Sequence, residues 1–127
     1  MYTYEAIVTN VVDGDTFDMD IDLGFHIHIH ERVRLLDVDT PEKFGEEKEL
    51  GLIVKNFAEK MLLNQKVIIE SEKENVAANT DSFGRWLVRV RFPEASEDIA
   101  KSYNDLCLNK KCNTYNTNNI LKLRNSL

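Results

Sequence analysis

From Phe17 to Leu23 the chain alternates without a break: Phe17, Met19, Ile21 and Leu23 are apolar, and Asp18, Asp20 and Asp22 between them are acidic. A period of two places successive side chains on opposite faces of a strand, so this stretch reads as a strand with one wet face and one buried face. Asp15 has the parity of the apolar set and should point inward. A carboxylate on an apolar face is costly unless it is paired or bound to a metal. That mismatch marks a first candidate site residue.

The segments around it extend the pattern. Residues 2–12 (YTYEAIVTNVV) are rich in β-branched and aromatic types and read as a strand, and Asp13-Gly14 is a turn signal. Leu23-Gly24 marks the next turn. Phe25, Ile27 and Ile29 then alternate with His26, His28 and His30, and the strand is expected to run on through residues 32–38, with Pro41 ending it. Residues 42–50 are charged and contain Gly45, which suggests a loop. From Leu50 the apolar positions Ile53, Val54, Phe57, Ala58, Met61 and Leu62 follow helical spacing. Val67 to Ile69 begin a fourth strand, 72–83 form a polar loop, and 85–92 form a fifth strand that Pro93 stops. A second helix is expected from Ser96 or Glu97 to about Asn109. The Asn-rich tail, 113–127, is expected to be irregular. Three strands, a helix, two strands and a helix is the element order of an α+β, five-stranded Greek-key OB barrel occupying 1–127 as one domain, with two or three helices.

Charge restricts what such a barrel can bind. The chain has 22 acidic and 16 basic residues, for a net charge of −6. This argues against holding nucleic acid by bulk electrostatics. The distribution is uneven, because after Asp105 there are four bases and no acid, so the tail carries +4 and residues 1–105 carry −10. An acidic body with a basic tail suits carboxylates that hold a cation beside a segment that attracts phosphate; it also suits a solvated tail. No apolar run approaches the roughly 18 residues of a membrane span. The N-terminus lacks a basic start followed by an apolar block, so a cytoplasmic monomer is expected unless a longer precursor was trimmed. Cys107 and Cys112 are too few for a disulfide framework, and reduced thiols are the simpler reading over a local bridge.

Three short motifs carry the chemistry: VDGDT at 12–16, RLLDVDTPE at 34–42 and DSFGR at 81–85. Each alone is commonplace. Together they supply carboxylates (Asp15, Asp39, Glu42) and two arginines (Arg34, Arg85) at strand ends and turns. Phosphodiester hydrolysis needs that inventory. Hard oxygen ligands hold Ca²⁺ or Mg²⁺, guanidinium groups grip phosphate oxygens, and a further carboxylate can take a proton from water.

In this order and spacing the motifs resemble the staphylococcal nuclease-like family, over roughly residues 5–115. The resemblance implies an OB barrel that hydrolyses DNA and RNA with Ca²⁺, with Mg²⁺ or Mn²⁺ as alternatives. By position, Asp15 and Asp39 correspond to metal carboxylates and the Thr40 carbonyl to a third ligand. Glu42 corresponds to the residue that orients or deprotonates the attacking water, and Arg34 and Arg85 to the phosphate clamps. Ser82 and Phe83 stand where the family's best-known member has Lys-Tyr, at positions that there help bind a terminal phosphate and nucleotide. Tyr115 is a candidate for base stacking. The string Asp20 to Phe25 resembles phage and prophage members. Single-stranded DNA or RNA is the substrate the resemblance favours.

Plainer readings stand beside these. Asp13 more simply shapes its turn than binds metal. His26, His28 and His30 recur at about 6–7 Å along one strand face, too far apart for all three to share an ion, so a solvated face is the simpler reading. Trp86 is a stacking platform or, more commonly, a packing residue. A barrel of this kind can also bind nucleic acid or protein without chemistry, or serve in a phage assembly.

Overall fold

The alternation around Asp15 becomes the middle of a closed sheet. The computed structural model describes residues 2–41, 45, 48–71, 86–106, 108 and 115–126. Strand β1 (Tyr2–Asp13) turns at Gly14 into β2 (Thr16–Asp22), and β2 leads through a second turn into β3 (His28–Leu35). These three form an antiparallel meander, with Asp13 opposite Thr16 and Thr16 opposite Arg34. Helix α1 (Lys48–Leu62) follows, then β4 (Lys66–Ser71) and β5 (Trp86–Arg91). β4 runs antiparallel to both β1 and β5. β5 lies parallel to β3 through Val33–Trp86, Arg34–Leu87 and Leu35–Val88. The order β1-β2-β3-β5-β4 closes on itself, as the OB-barrel expectation required. Register shifts in β1 between Val8 and Asn10 and between Val11 and Asp13 mark extra residues that sharpen strand twist and favour closure.

The inward side chains of β2 keep their predicted parity: Phe17 and Met19 are fully buried and Ile21 nearly so. They meet Val8, Val33, Leu35, Val67, Val88 and Val90 in one core. Helix α1 covers an end of the barrel with Val54, Ala58 and Leu62. Two residues beyond its end, Asn64 takes a left-handed backbone (φ 63°), which suits an asparagine following a helix C-terminus. Asn64 N–H then donates to Val8 O at 2.8 Å, tying the helix end to β1.

Five boundaries differ from expectation. β3, expected to run on through residues 32–38, ends at Leu35, and the backbone turns there with Asp37 at positive φ (62°). Residues 48–50, read as loop, are the charged first turn of α1, because apolar spacing sees a helix only from its first buried contact. β3 begins at His28 and not at Phe25. Gly24, Phe25 and His26 adopt positive φ in the turn between β2 and β3, although apolar-polar alternation runs straight through it. The expected second helix is a 3₁₀ helix over Ile99–Leu106, with Asp98 Oδ1 accepting Ala100 N–H at 2.9 Å as its cap. The tail is not irregular throughout: Thr117–Ser126 form helix α2. Asn116 Oδ1 accepts Asn119 N–H at 3.1 Å, Ile120 is fully buried, and Leu121 and Leu123 pack partly buried against the core, so a capping asparagine and a short apolar patch order the segment. Among the described residues no helix is long and apolar enough to cross a membrane. The loop expected at 72–83 and both cysteines lie outside the described residues.

Candidate active site

The turn joining β1 to β2 places Asp15 where its parity said it would be, at 7% exposure. Both carboxylate oxygens are held. Thr16 Oγ1 donates to Oδ1 at 2.9 Å, and Thr40 N–H donates to Oδ2 at 3.3 Å. Arg34 Nε lies 3.5 Å from Oδ2. The backbone is fixed as well, since Leu35 N–H donates to Asp15 O at 2.9 Å. Register explains this convergence: Thr16 and Arg34 are cross-strand partners, so the start of β2 and the end of β3 share one edge of the barrel.

Arg34 reaches further. Its terminal NH2 group donates to Asp39 Oδ1, so one guanidinium bridges a buried and an open carboxylate. The Asp39 side chain is 69% exposed, whereas that of Asp15 is 9% exposed. Asp39 is carried on the segment after β3, where Asp39 N–H donates to Leu108 O at 2.7 Å and Val38 is buried. A buried oxygen donor, an open one and a cation between them form a graded polar mouth at this end of the barrel.

Burial pushes the Asp15 carboxyl up from the usual carboxylate range. Arg34 pulls it back, as do the hydrogen bonds from Thr16 and Thr40, while Asp13 adds a small upward push. A carboxylate whose charge is disfavoured by burial gains most from a nearby cation. The donors here are hard oxygens: two carboxylates within reach of one guanidinium, and the Thr40 carbonyl on a segment whose N–H already binds Asp15. That set fits Ca²⁺ or Mg²⁺ better than a softer metal.

The structure thus brings together Asp15, Arg34, Asp39 and Thr40. Glu42, Ser82, Phe83 and Arg85 lie outside the described residues. Tyr115 is half-buried against the core. Trp86 is 37% exposed at the start of β5, opposite Val33. The expected face of three histidines holds two: His28 and His30 lie on β3, whereas His26 sits in the turn before it at positive φ; all three are exposed, and His28 Nδ1 lies 2.9 Å from Asp20 Oδ1. Among the described residues no group of three or more His, Cys, Asp or Glu is gathered to hold a metal.

Two contributors escaped sequence reasoning. The Thr16 hydroxyl, next to Asp15 and fully buried, read only as part of a turn motif. Tyr103, also fully buried, donates from its hydroxyl to Gly14 O at 2.5 Å. Its signal was available: Ile99, Tyr103 and Leu106 fall at helical spacing, which puts a phenol on an apolar stripe.

Comparison with known proteins finds relatives for the chain. A family model described as staphylococcal nuclease homologue matches residues 32–111, a span that includes Arg34, Asp39, Glu42 and Arg85 and begins after Asp15. The thermonuclease of Staphylococcus intermedius is 38% identical over 87 residues, covering 66% of this chain and 46% of the relative. The match therefore spans under half the length of that protein.

Proposed function

The chain belongs to the staphylococcal nuclease family, and on that premise we propose that it hydrolyses phosphodiester bonds of DNA or RNA at the Asp15–Arg34–Asp39 mouth. The observation that carries this reading is the Arg34 bridge, which joins a buried and an open carboxylate at one barrel edge. Asp15 and Asp39, with the Thr40 carbonyl, would hold Ca²⁺, and Mg²⁺ or Mn²⁺ are the alternatives. When bound, the cation polarises a phosphoryl oxygen and favours attack by water.

The remaining work belongs to the chain's own side chains. Arg34 offers donors to phosphate oxygens at the open side of the mouth, where the exposure of Asp39 leaves room for substrate. Arg85, by its sequence position before β5, supplies the second guanidinium, and the two neutralise charge that builds on phosphorus. Glu42 takes the proton from the attacking water. The family resemblance implies that the P–O5′ bond is the one broken, which leaves 3′-phosphate ends. Single strands, whose bases can unstack, are the favoured substrate for a small barrel.

The test is cleavage of single-stranded DNA with Ca²⁺, with and without chelator, followed by analysis of product ends. Wild type should cleave only with metal, and Glu42→Gln should bind without cleaving. Absence of metal-dependent cleavage on long incubation would remove the nuclease reading and leave a barrel that binds nucleic acid or protein without chemistry.

A further inference from the structure

Gly14 is clamped from three sides. A Cβ placed on it would come within 2.5 Å of Val54 Cγ1 on α1 and 2.9 Å of Thr40 Cγ2, so only a glycine backbone fits between helix and loop. Its carbonyl accepts the Tyr103 hydroxyl at 2.5 Å, a contact between residues 89 apart in sequence. The residue that follows it is Asp15. The Tyr103 ring is set in turn by Phe57 of α1, whose ring meets it edge-on at 5.6 Å and 89°.

We propose that Tyr103 is a positioning residue for the cation site, holding the Gly14–Asp15 peptide so that the Asp15 carboxylate stays aimed at the barrel mouth. This rests on the reading of Asp15 as a cation ligand. The plainer role for a buried phenol is to satisfy its own hydroxyl in the core. Three features favour more. The hydroxyl is spent on the peptide next to the buried carboxylate, and not on its own helix. Burial, reinforced by the Asp15 charge, raises the phenol's pKa and keeps it a neutral donor. The other restraints on Asp15, from Thr16, Thr40, Arg34 and Leu35, all come from the barrel strands or the segment after β3. Tyr103 alone among these named contacts ties the turn to the 3₁₀ helix, fixing it from the far side. Restraints one step removed from a metal ligand commonly matter 10- to 100-fold in affinity.

Calcium affinity of the full chain, measured by calorimetric titration with calcium alone, tests this alongside thermal unfolding. Tyr103→Phe keeps the ring and its Phe57 contact and removes only the donor. It should weaken calcium binding about tenfold. Ile21→Ala, a change in a buried core residue six positions along β2 from Asp15, about 20 Å at strand spacing, should lower the melting temperature without changing calcium affinity. If Tyr103→Phe fails to fold, Phe57→Leu carries the test, because it unseats the ring without touching the hydroxyl and should weaken calcium binding in the same direction. A Tyr103→Phe protein that binds calcium like wild type overturns the proposal. Wild type that binds no calcium overturns the Asp15 reading and this inference with it. Binding by wild type that disappears in Asp39→Asn upholds the site independently of Tyr103, so the two failures are distinct.

Discussion

Strand β2 has opposite characters at its two ends. At its start, a carboxylate is buried at 7% exposure and held by a threonine hydroxyl, a backbone amide and an arginine. Beyond its end, Phe25 stands 95% exposed on a left-handed backbone (φ 54°), and Ile27 is 54% exposed. One end has charge where apolar groups belong, the other apolar groups where charge belongs. The cost of the first is offset by many directed partners. The turn at the second is closed locally, with Leu23 N–H donating to Ile27 O and Ile27 N–H to Gly24 O, both at 2.9 Å, and Gly24 N–H donating to Asp22 Oδ1 at 2.8 Å. A violated preference marks chemistry where the neighbours converge on it.

The largest expected effect breaks the comparison at its polar end. Asp15→Asn should lower metal-dependent cleavage by at least about 10²-fold, the scale of losing one charge-stabilising group in a catalytic centre, while the circular dichroism spectrum stays native. Phe25→Ala should leave the cleavage rate unchanged. Comparable losses in both variants would mean that the two ends do not differ in role. Next come the two turn glycines. Gly14→Ala drives a methyl into Val54 and Thr40, and should cost about 1–3 kcal/mol in urea melts. Gly24→Ala meets nothing within 4 Å, and pays only for a left-handed backbone (φ 82°), about 1 kcal/mol.

The polar end was the more legible in sequence. Asp15 stood out because period-two parity put an acid among Phe17, Met19 and Ile21, and the structure buries all four. Arg34 and Asp39 were marked by the motif they share, and their bridge is local, five residues apart. The five strands were readable for the same reason, since alternation reports the local surroundings of each residue. What sequence hid was non-local or unpatterned. The Tyr103–Gly14 contact spans 89 residues, and no periodicity encodes a partner at that range. The Phe25 turn was misread as strand because alternation continues through it while the backbone does not. Helix α2 was missed because its order comes from an Asn116 cap and a short patch, the buried Ile120 with the partly buried Leu121 and Leu123, within an Asn-rich segment.

The apolar end can be sharpened by relieving its backbone. Phe25→Gly removes the Cβ from a left-handed position, a gain of about 1–2 kcal/mol, against roughly 0.5–1 kcal/mol for the greater freedom of glycine in the unfolded chain. The net expectation is a stabilisation of about 0.5 kcal/mol, read as a higher urea midpoint with an unchanged slope. A lower midpoint would mean that the exposed ring makes contacts that outweigh its strained backbone.

The smallest effect compares two aspartates of the same sheet region, and its value lies in its sign. Asp18 faces water and forms a two-pronged pair with Arg32, Nε to Oδ1 at 2.7 Å and NH2 to Oδ2 at 3.2 Å, which holds its carboxyl below the usual range. A depressed folded pKa contributes stability above the unfolded value, near 4, and loses it as pH falls through the folded value. Burial raises Asp15, so its contribution is complete below about pH 4 and is lost as pH climbs through its higher folded value. Urea melts in chelator from pH 3 to 7 should therefore show Asp18→Asn losing stability relative to wild type as pH rises, and Asp15→Asn gaining it. The Asp18 effect should be only about 0.5 kcal/mol, because the pair is partly solvated and screened. Saturating Ca²⁺ should flatten the Asp15 difference, since a bound cation favours the charged carboxylate, and leave the Asp18 difference in place. Slopes of the same sign would show that the Asp15 carboxylate is not governed by burial, and the contrast between the two faces of β2 would lose its electrostatic basis.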